Sequence, residues 1–221
     1  MLWWIISGFF GWLAFREIYH AYRPPPGYGT PSPGISKPFV YVTLFIAAAF
    51  AYTPVRYAFF ESYLTREAKI LSESPNAKVH CNTIFDTFFD PSIFAAGHAN
   101  IETGQIVFQH PWCGRLMDYL HDPEGASFEE IYSLHILVHE AMHIRGEKNE
   151  ARADCQAIQR DYRAAKLLGI PDPVAEKNSK VYYLDGYQKR ATQGGYSSQY
   201  YSGQCAPGKE LDEKLPDSTW N

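Results

Sequence analysis

Two histidines and a glutamate near the middle of the chain have the spacing of a metal site that activates water. Residues 139–143 read HEAMH and match the pattern H-E-x-x-H. On a helix, residues four apart share one face, so His139 and His143 can bind the same zinc ion. Glu140 follows the first histidine, where its carboxylate can take a proton from a water at the metal. The pattern predicts metal-assisted hydrolysis with Glu140 as the general base.

A catalytic zinc ion needs a third protein ligand, and the segment after the motif offers two carboxylates. Gly146 ends the predicted motif helix, and Asn149 begins a second helix with Glu150 in its first turn. Asp154 follows one turn later on the same side of that helix. We expect Glu150 to be the third ligand and Asp154 to orient a histidine ligand, although the sequence also allows Asp154 to be the ligand.

This arrangement resembles a zincin metallopeptidase of the gluzincin kind, in which H-E-x-x-H is followed by N-E-x-x-x-D on a second helix. The matching residues are His139, Glu140, His143, Asn149, Glu150 and Asp154. Only residues 144–149 separate the last motif histidine from Glu150, whereas most gluzincins have a longer insert. Residues 138–160 and 201–208, together with the cysteines, are similar to a group of actinobacterial membrane-anchored predicted metallopeptidases. The resemblance implies a zincin-like domain, Zn²⁺ as cofactor and a peptide or protein substrate of unknown identity.

Caps and turn residues predict the elements that position the motif. Ser127 and Glu130 form a capping box at the start of the motif helix. Residues 61–73 are predicted to extend the second apolar helix out of the membrane. Further helices are predicted over residues 111–121, 150–168 and 174–190, and two short strands around a turn over residues 96–108. We therefore expect a mainly α domain of the α+β class with a small β-hairpin or sheet. The sheet edge near residues 105–108 is expected to align an extended peptide by strand addition.

The first 60 residues have the composition of a membrane anchor. Residues 1–15 carry no charge, and residues 39–60 form an apolar run as long as a bilayer span. A Pro-rich loop over residues 16–38 connects them. We predict a two-helix transmembrane hairpin, followed by a working domain over residues 61–221. A buried core helix is the alternative for residues 1–15.

The cysteines and the charges next to the anchor bear on its orientation. All 4 cysteines follow the second apolar run, and an even number is typical of disulfides in an oxidising compartment. Lysines and arginines are nearly balanced on the two sides of the anchor, so the cysteines favour a domain outside the cytoplasm in a multi-pass membrane protein. Reduced core thiols in the cytosol are the alternative. From their positions along the domain we predict the pairs Cys81–Cys113 and Cys155–Cys205.

Composition and the remaining candidates narrow the function classes. A net charge of −4 argues against a nucleic-acid partner, and 46% hydrophobic residues support a packed core.

His135, one turn before the motif, is predicted to be a core or supporting residue rather than a ligand. Tyrosines in the C-terminal part are expected to pack, with donation to an oxyanion as the alternative: Tyr187, Tyr196, Tyr200 and Tyr201. A non-catalytic, metal-stabilised module that binds a partner is the second function class.

Overall fold

The computed structural model describes residues 2–22, 34–192 and 199–220 of the chain. These residues form two compact units, Met1–Phe60 and Glu61–Asn221. The helices are α1 (Leu2–Tyr22), α2 (Lys37–Leu71), α3 (Ile84–Phe89), α4 (Trp112–His121), α5 (Phe128–Arg145), α6 (Glu150–Leu167) and α7 (Asp172–Val181). The strands are β1 (Lys78–Cys81), β2 (Gly97–Asn100) and β3 (Gln105–Phe108). The protein is therefore mainly helical with one small sheet, as predicted.

The first unit contains α1 and the apolar part of α2, which lie side by side. The Ser7 hydroxyl donates to the carbonyl of Ala47 at 2.9 Å, and the rings of Trp3 and Phe50 lie 5.7 Å apart. Among the described helices, α2 alone has the length and apolar composition of a membrane span. Helix α1 continues to Tyr22, beyond the predicted end at residue 15, because no proline or glycine interrupts the charged segment. Residues 23–33 of the predicted loop lie outside the described residues.

Helix α2 connects the two units without a break. It begins at Lys37 and ends at Leu71, with Pro54 inside it. Residues 61–71 are thus the last part of α2, which confirms the predicted extension of the second apolar helix. Helix formers such as Glu67 and Ala68 continue the pattern of the apolar run, so nothing in the sequence ends the helix at Phe60.

The sheet of the second unit has the strand order β1-β3-β2. Strand β2 is antiparallel to β3, which confirms the predicted pair of strands, and β1 adds a parallel neighbour that was not predicted. Because β3 lies in the centre, the prediction that residues 105–108 form a free edge is wrong. Within the described chain, the strand edge without a partner next to the site belongs to β2.

Helix α5 is the core of the second unit, and both of its ends match the prediction. The backbone N–H of Ser127 donates to the Glu130 carboxylate at 2.6 Å, and the N–H of Glu130 donates back to the serine hydroxyl at 3.3 Å. Gly146 ends the helix with a φ of 113°, a conformation that favours glycine. Helices α4 and α6 and strands β2 and β3 all contact α5. The motif residues are therefore held on a helix that is buried along most of its length.

The segment after α6 differs from the prediction of one helix over residues 174–190. Helix α7 ends at Val181, a π-helical turn follows over Tyr182–Tyr187, and a 3₁₀ turn covers Gln188–Ala191. The π-helical turn is wider and the 3₁₀ turn is tighter than an α-helix. Arg190, in the second of these turns, lies next to α6, where its guanidinium contacts Asp154. The change of helix type thus accompanies a contact next to the predicted site.

The two predicted disulfides, Cys81–Cys113 and Cys155–Cys205, are both present. All of these cysteines are buried, and no free cysteine remains among the described residues. The first bridge joins β1 to α4, and the second joins α6 to the C-terminal segment. The second bridge therefore fixes an irregular segment to the helix that carries Glu150 and Asp154.

Replacing Cys205 with serine is expected to destabilise the second unit. The bridge to Cys155 spans a sequence separation of 50 residues, for which chain entropy gives about 4 kcal/mol of stabilisation. Thermal unfolding of the full-length chain in detergent should show a lower Tm than for the unmodified chain. Reductant, which opens both bridges, should lower the Tm of the unmodified chain at least as far. Equal Tm values for both chains under oxidising conditions would contradict this role.

Candidate metal centre

Three side-chain atoms from the two predicted helices converge at one point. On α5, the Nε2 atoms of His139 and His143 lie 3.1 Å apart. Oε2 of Glu150, in the first turn of α6, lies 3.2 Å from the first of these nitrogens and 3.3 Å from the second. The turn at Gly146 reverses the chain between the helices and sets Glu150 against the histidine pair. The site that the sequence predicts from His139, His143 and Glu150 is therefore assembled in space.

The other ring nitrogen of each histidine faces an oxygen atom. Nδ1 of His143 donates to the carbonyl of Glu147 at 2.7 Å, in the turn just after α5. Nδ1 of His139 lies 3.3 Å from Oδ1 of Asp154. A carbonyl oxygen only accepts, so Nδ1 of His143 carries the hydrogen in the neutral ring, and the Nε2 lone pair of His143 points into the cluster, as metal binding requires. Nδ1 of His139 is close to Asp154 but has no hydrogen bond of regular geometry within the described chain.

The spacing and the chemistry of these three atoms fit a zinc ion. In a tetrahedral zinc site with bonds of about 2.0–2.2 Å, neighbouring ligand atoms lie about 3.3–3.6 Å apart. The distances of 3.1, 3.2 and 3.3 Å in this cluster are close to that range. Without a cation, two nitrogen lone pairs and a carboxylate oxygen would repel each other. A proton or a metal ion at the centre of the cluster would remove this repulsion.

The pKa values of His139 and Glu150 also favour a positive charge in the cluster. Burial by itself would lower the pKa of His139, but the carboxylates of Asp154 and Glu150 raise it to about 10. Hydrogen bonds from His139 and His143 lower the pKa of Glu150 to about 2. In the absence of metal the ligands therefore hold a proton between them. A metal ion that binds here must displace it, so metal affinity rises with pH.

A second cluster behind the first one shares His139. The ring of His135 lies between two carboxylates, with Nδ1 2.9 Å from Asp161 and Nε2 3.0 Å from Asp154. Burial opposes the charged form of His135, but these carboxylates raise its pKa above the ordinary value. Together with His139 and Asp154, His135 forms a second group of atoms that could hold a metal ion. That His135 supports the site instead of binding the metal therefore stays a prediction.

Asp154 joins the two clusters. One oxygen contacts both His135 and His139, and the other accepts from Arg190 at 2.6 Å. The Asp154 carboxyl is buried, which would raise its pKa, yet His135 and the other cationic partners hold it well below the usual range. Arg190 also donates to the hydroxyl of Tyr182 at 2.7 Å. Asp154 is thus a charged group that lies next to Nδ1 of His139, and its orienting role stays a prediction.

Glu140 lies beside the ligands and faces open space. Its carboxylate makes no hydrogen bond with any other residue of the described chain, and burial raises its pKa. A cavity of about 330 Å³ is lined by Glu140, His139, Tyr132, Arg190 and Tyr200, among others. A second cavity of about 360 Å³ is lined by Glu140, both metal-site histidines, Glu150 and the residues around β2. The base predicted from the sequence therefore stands at the wall of two spaces that meet at the cluster.

The cluster is enclosed on one side and open on the other. The side chains of His139 and His143 are 9% and 11% exposed, whereas that of Glu150 is 40% exposed. A zinc site that activates water keeps one position open to solvent or substrate, and a structural zinc site has four protein ligands. The accessible side at Glu150 corresponds to the open kind.

Sequence reasoning missed several supporting residues. Arg190 and Asp161 have no recognisable spacing from the motif and reach the site only through the fold. Gly97 lets β2 approach α5, because a Cβ atom there would lie 2.9 Å from Ile136 and 3.0 Å from the carbonyl of Val107.

The predicted packing role of Tyr187 agrees with its buried ring, while Tyr200 lies 5.6 Å from the His139 ring. Tyr196 lies outside the described residues.

Replacing Asp154 with asparagine is expected to weaken zinc binding by about 10- to 100-fold without abolishing it. The change removes the charge that orients His139 but leaves all three ligand atoms in place. Competition with a chromogenic chelator would measure the affinity. Asp161→Asn is the matched control, since Asp161 contacts His135 and none of the ligands, and its affinity should stay close to that of the unmodified chain. Complete loss of zinc in Asp154→Asn would make Asp154 a ligand.

Comparisons of the chain with protein-family models, with curated proteins and with solved structures give no match.

Proposed function

We propose that the protein is a membrane-anchored zinc metallopeptidase that hydrolyses peptide bonds. The observation that carries this proposal is the convergence of His139, His143 and Glu150 beside the buried carboxylate of Glu140. Three protein ligands with one open side, next to an acid that lacks an internal partner, form the combination needed for metal-assisted hydrolysis.

The chemistry of the site follows from the positions of these groups. His139, His143 and Glu150 would hold a zinc ion, which would lower the pKa of a water molecule and polarise a carbonyl oxygen. Glu140 takes the proton from the attacking water and then delivers it to the leaving amine. Burial raises the pKa of Glu140, which favours an acid that can both accept and return a proton. Asp154 and the carbonyl of Glu147 hold the histidine rings in orientation throughout.

A peptide substrate is favoured by the strand next to the cluster. The cavity at Glu150 is lined on one side by β2, whose outer edge has no partner strand in the described chain. An extended peptide that pairs with this edge would pass in front of Glu140 and His143. We therefore place the strand addition at β2, in contrast to the prediction at residues 105–108.

The membrane anchor and its orientation rest on the first unit and on the disulfides. Large apolar side chains are exposed along both helices, among them Ile5 and Phe9 on α1 and Phe45 on α2. Such a surface is stable in lipid and not in water, which favours two spans. The two disulfides favour an oxidising compartment. On this basis we propose that the metal site lies outside the cytoplasm and the loop between the helices inside.

Incubation with an unbiased peptide mixture tests the activity. The full-length chain, purified in detergent and loaded with zinc, should cut peptides at defined bonds detected by mass spectrometry. A chelator such as 1,10-phenanthroline should abolish cleavage, and added zinc should restore it. Cleavage that persists after complete removal of the metal would contradict the proposal.

A further inference from the structure

An exposed aromatic surface lies at one end of the second unit. It consists of large apolar residues on α3 and in the segment that follows it: Ile84, Phe85, Phe88, Phe89 and Phe94. Phe89 is 79% exposed and Phe94 is 100% exposed. Single exposed apolar residues are common in proteins, whereas several within one short segment mark a contact surface.

The polar groups of this segment are turned inward. Thr83 and Asp86 form a capping box at the start of α3, and the hydroxyl of Thr87 accepts from the backbone N–H of His110 at 2.8 Å. The carboxylate of Asp90 accepts from Asn82 at 3.0 Å. Helix α3 thus has its polar side towards the protein and its apolar side towards the outside, the reverse of a helix that faces water.

Hydrogen bonds along β1 establish at which end of the unit this surface lies. The N–H of Val79 donates to Thr65 at 2.9 Å, and the N–H of Cys81 donates to Glu61 at 2.8 Å. Strand β1 therefore runs backwards along the end of α2, towards Glu61. Thr83, the N-cap of α3, follows two residues after Cys81 and is extended, so the start of α3 lies within about 7 Å of the end of β1 next to Glu61. Glu61 directly follows the apolar run of residues 39–60.

We propose that the aromatic surface inserts into the lipid–water interface of the membrane that anchors the chain. The inference rests on the membrane anchor of the proposed function. Lipid is the occupant because the surface lies at the end of the second unit that contains Glu61, the residue directly after the apolar run. Aromatic side chains next to buried backbone polar groups are well suited to the interfacial layer.

This placement also determines what reaches the cavity. Phe94 and its neighbour Ile93 line the cavity of about 330 Å³ that contains Glu140 and His139. One wall of the cavity then lies at the lipid surface. Peptide segments close to the membrane surface are consequently the substrate class that this cavity admits.

Spin labels on the full-length chain in phosphatidylcholine vesicles test the docking. All four native cysteines are in disulfides, so one added cysteine takes the label: Phe88→Cys or Phe89→Cys on the aromatic surface. Ile70→Cys is the matched control, an exposed apolar position on α2 about 14 Å beyond Glu61 along the helix. Phe45→Cys reports on the anchor itself. Faster relaxation of the spin label by oxygen indicates that the labelled residue lies in lipid. Faster relaxation by a water-soluble nickel complex indicates that it lies in solvent.

We expect loss of nickel collisions at residues 88, 89 and 45, and free nickel collisions at residue 70. Nickel collisions at residues 88 and 89 as frequent as at residue 70, with residue 45 protected, would overturn the docking and leave the anchor intact. Free nickel collisions at residue 45 as well would overturn both. Neither result depends on zinc or hydrolysis, so a failure here is distinct from a failure of the metal site.

Discussion

Replacing Glu140 with glutamine is expected to leave zinc binding and the fold unchanged and to slow hydrolysis at least about 10²-fold. Glutamine has the size of glutamate but cannot take a proton from water. Glu140 is not one of the converging ligand atoms, so the metal should stay bound. The rate would be measured on a peptide identified from the mixture, and the zinc content by mass spectrometry of the same preparation.

Glu129→Gln is the matched control for this change. Glu129 lies on the same helix, and its side chain is exposed and paired loosely with Arg115 at 3.5 Å. Its substitution should leave hydrolysis unaffected. Unchanged turnover in Glu140→Gln would show that another group is the base. A zinc-loaded chain that cuts no peptide in either form would instead favour the non-catalytic, metal-stabilised module.

Replacing His143 with alanine is expected to abolish stoichiometric zinc binding. The change removes one of three ligands and leaves a site that cannot surround the ion. The same substitution at His121, an exposed residue at the end of α4, should leave zinc binding unaltered. Zinc content after dialysis distinguishes the two variants directly.

The same assay decides between the two clusters that share His139. His143 belongs only to the cluster with Glu150, and His135 belongs only to the cluster with Asp154. His135→Gln should therefore retain zinc, with reduced affinity from the disturbed Asp154. Retention of zinc in His143→Ala together with its loss in His135→Gln would move the metal to the second cluster.

The convergence of the candidate metal ligands could be predicted from the sequence because its determinants are local. The motif spacing places two histidines on one helix face, and the capping box, Gly146 and Asn149 define where the helices begin and end. These signals act over a few residues and do not depend on the rest of the fold. The short connection between α5 and α6 then leaves Glu150 little freedom to lie elsewhere.

The parts that could not be predicted depend on contacts between distant segments. Strand β1 is short and follows a long helix, so only its pairing with β3 identifies it. Arg190 reaches Asp154 through a π-helical turn, for which the sequence gives no local signal. The central position of β3 likewise follows from β1, and this is why the edge for strand addition was assigned to the wrong strand.

The most direct test of the central claim is X-ray absorption at the zinc edge on the purified, full-length chain. We predict one zinc ion per chain, with nitrogen and oxygen ligands at about 2.0–2.2 Å and no sulfur ligand at about 2.3 Å. The imidazole signature should correspond to two histidines and should disappear in His143→Ala. A chain that binds no zinc at neutral pH, or a zinc ion with four protein ligands and no open position, would contradict the account.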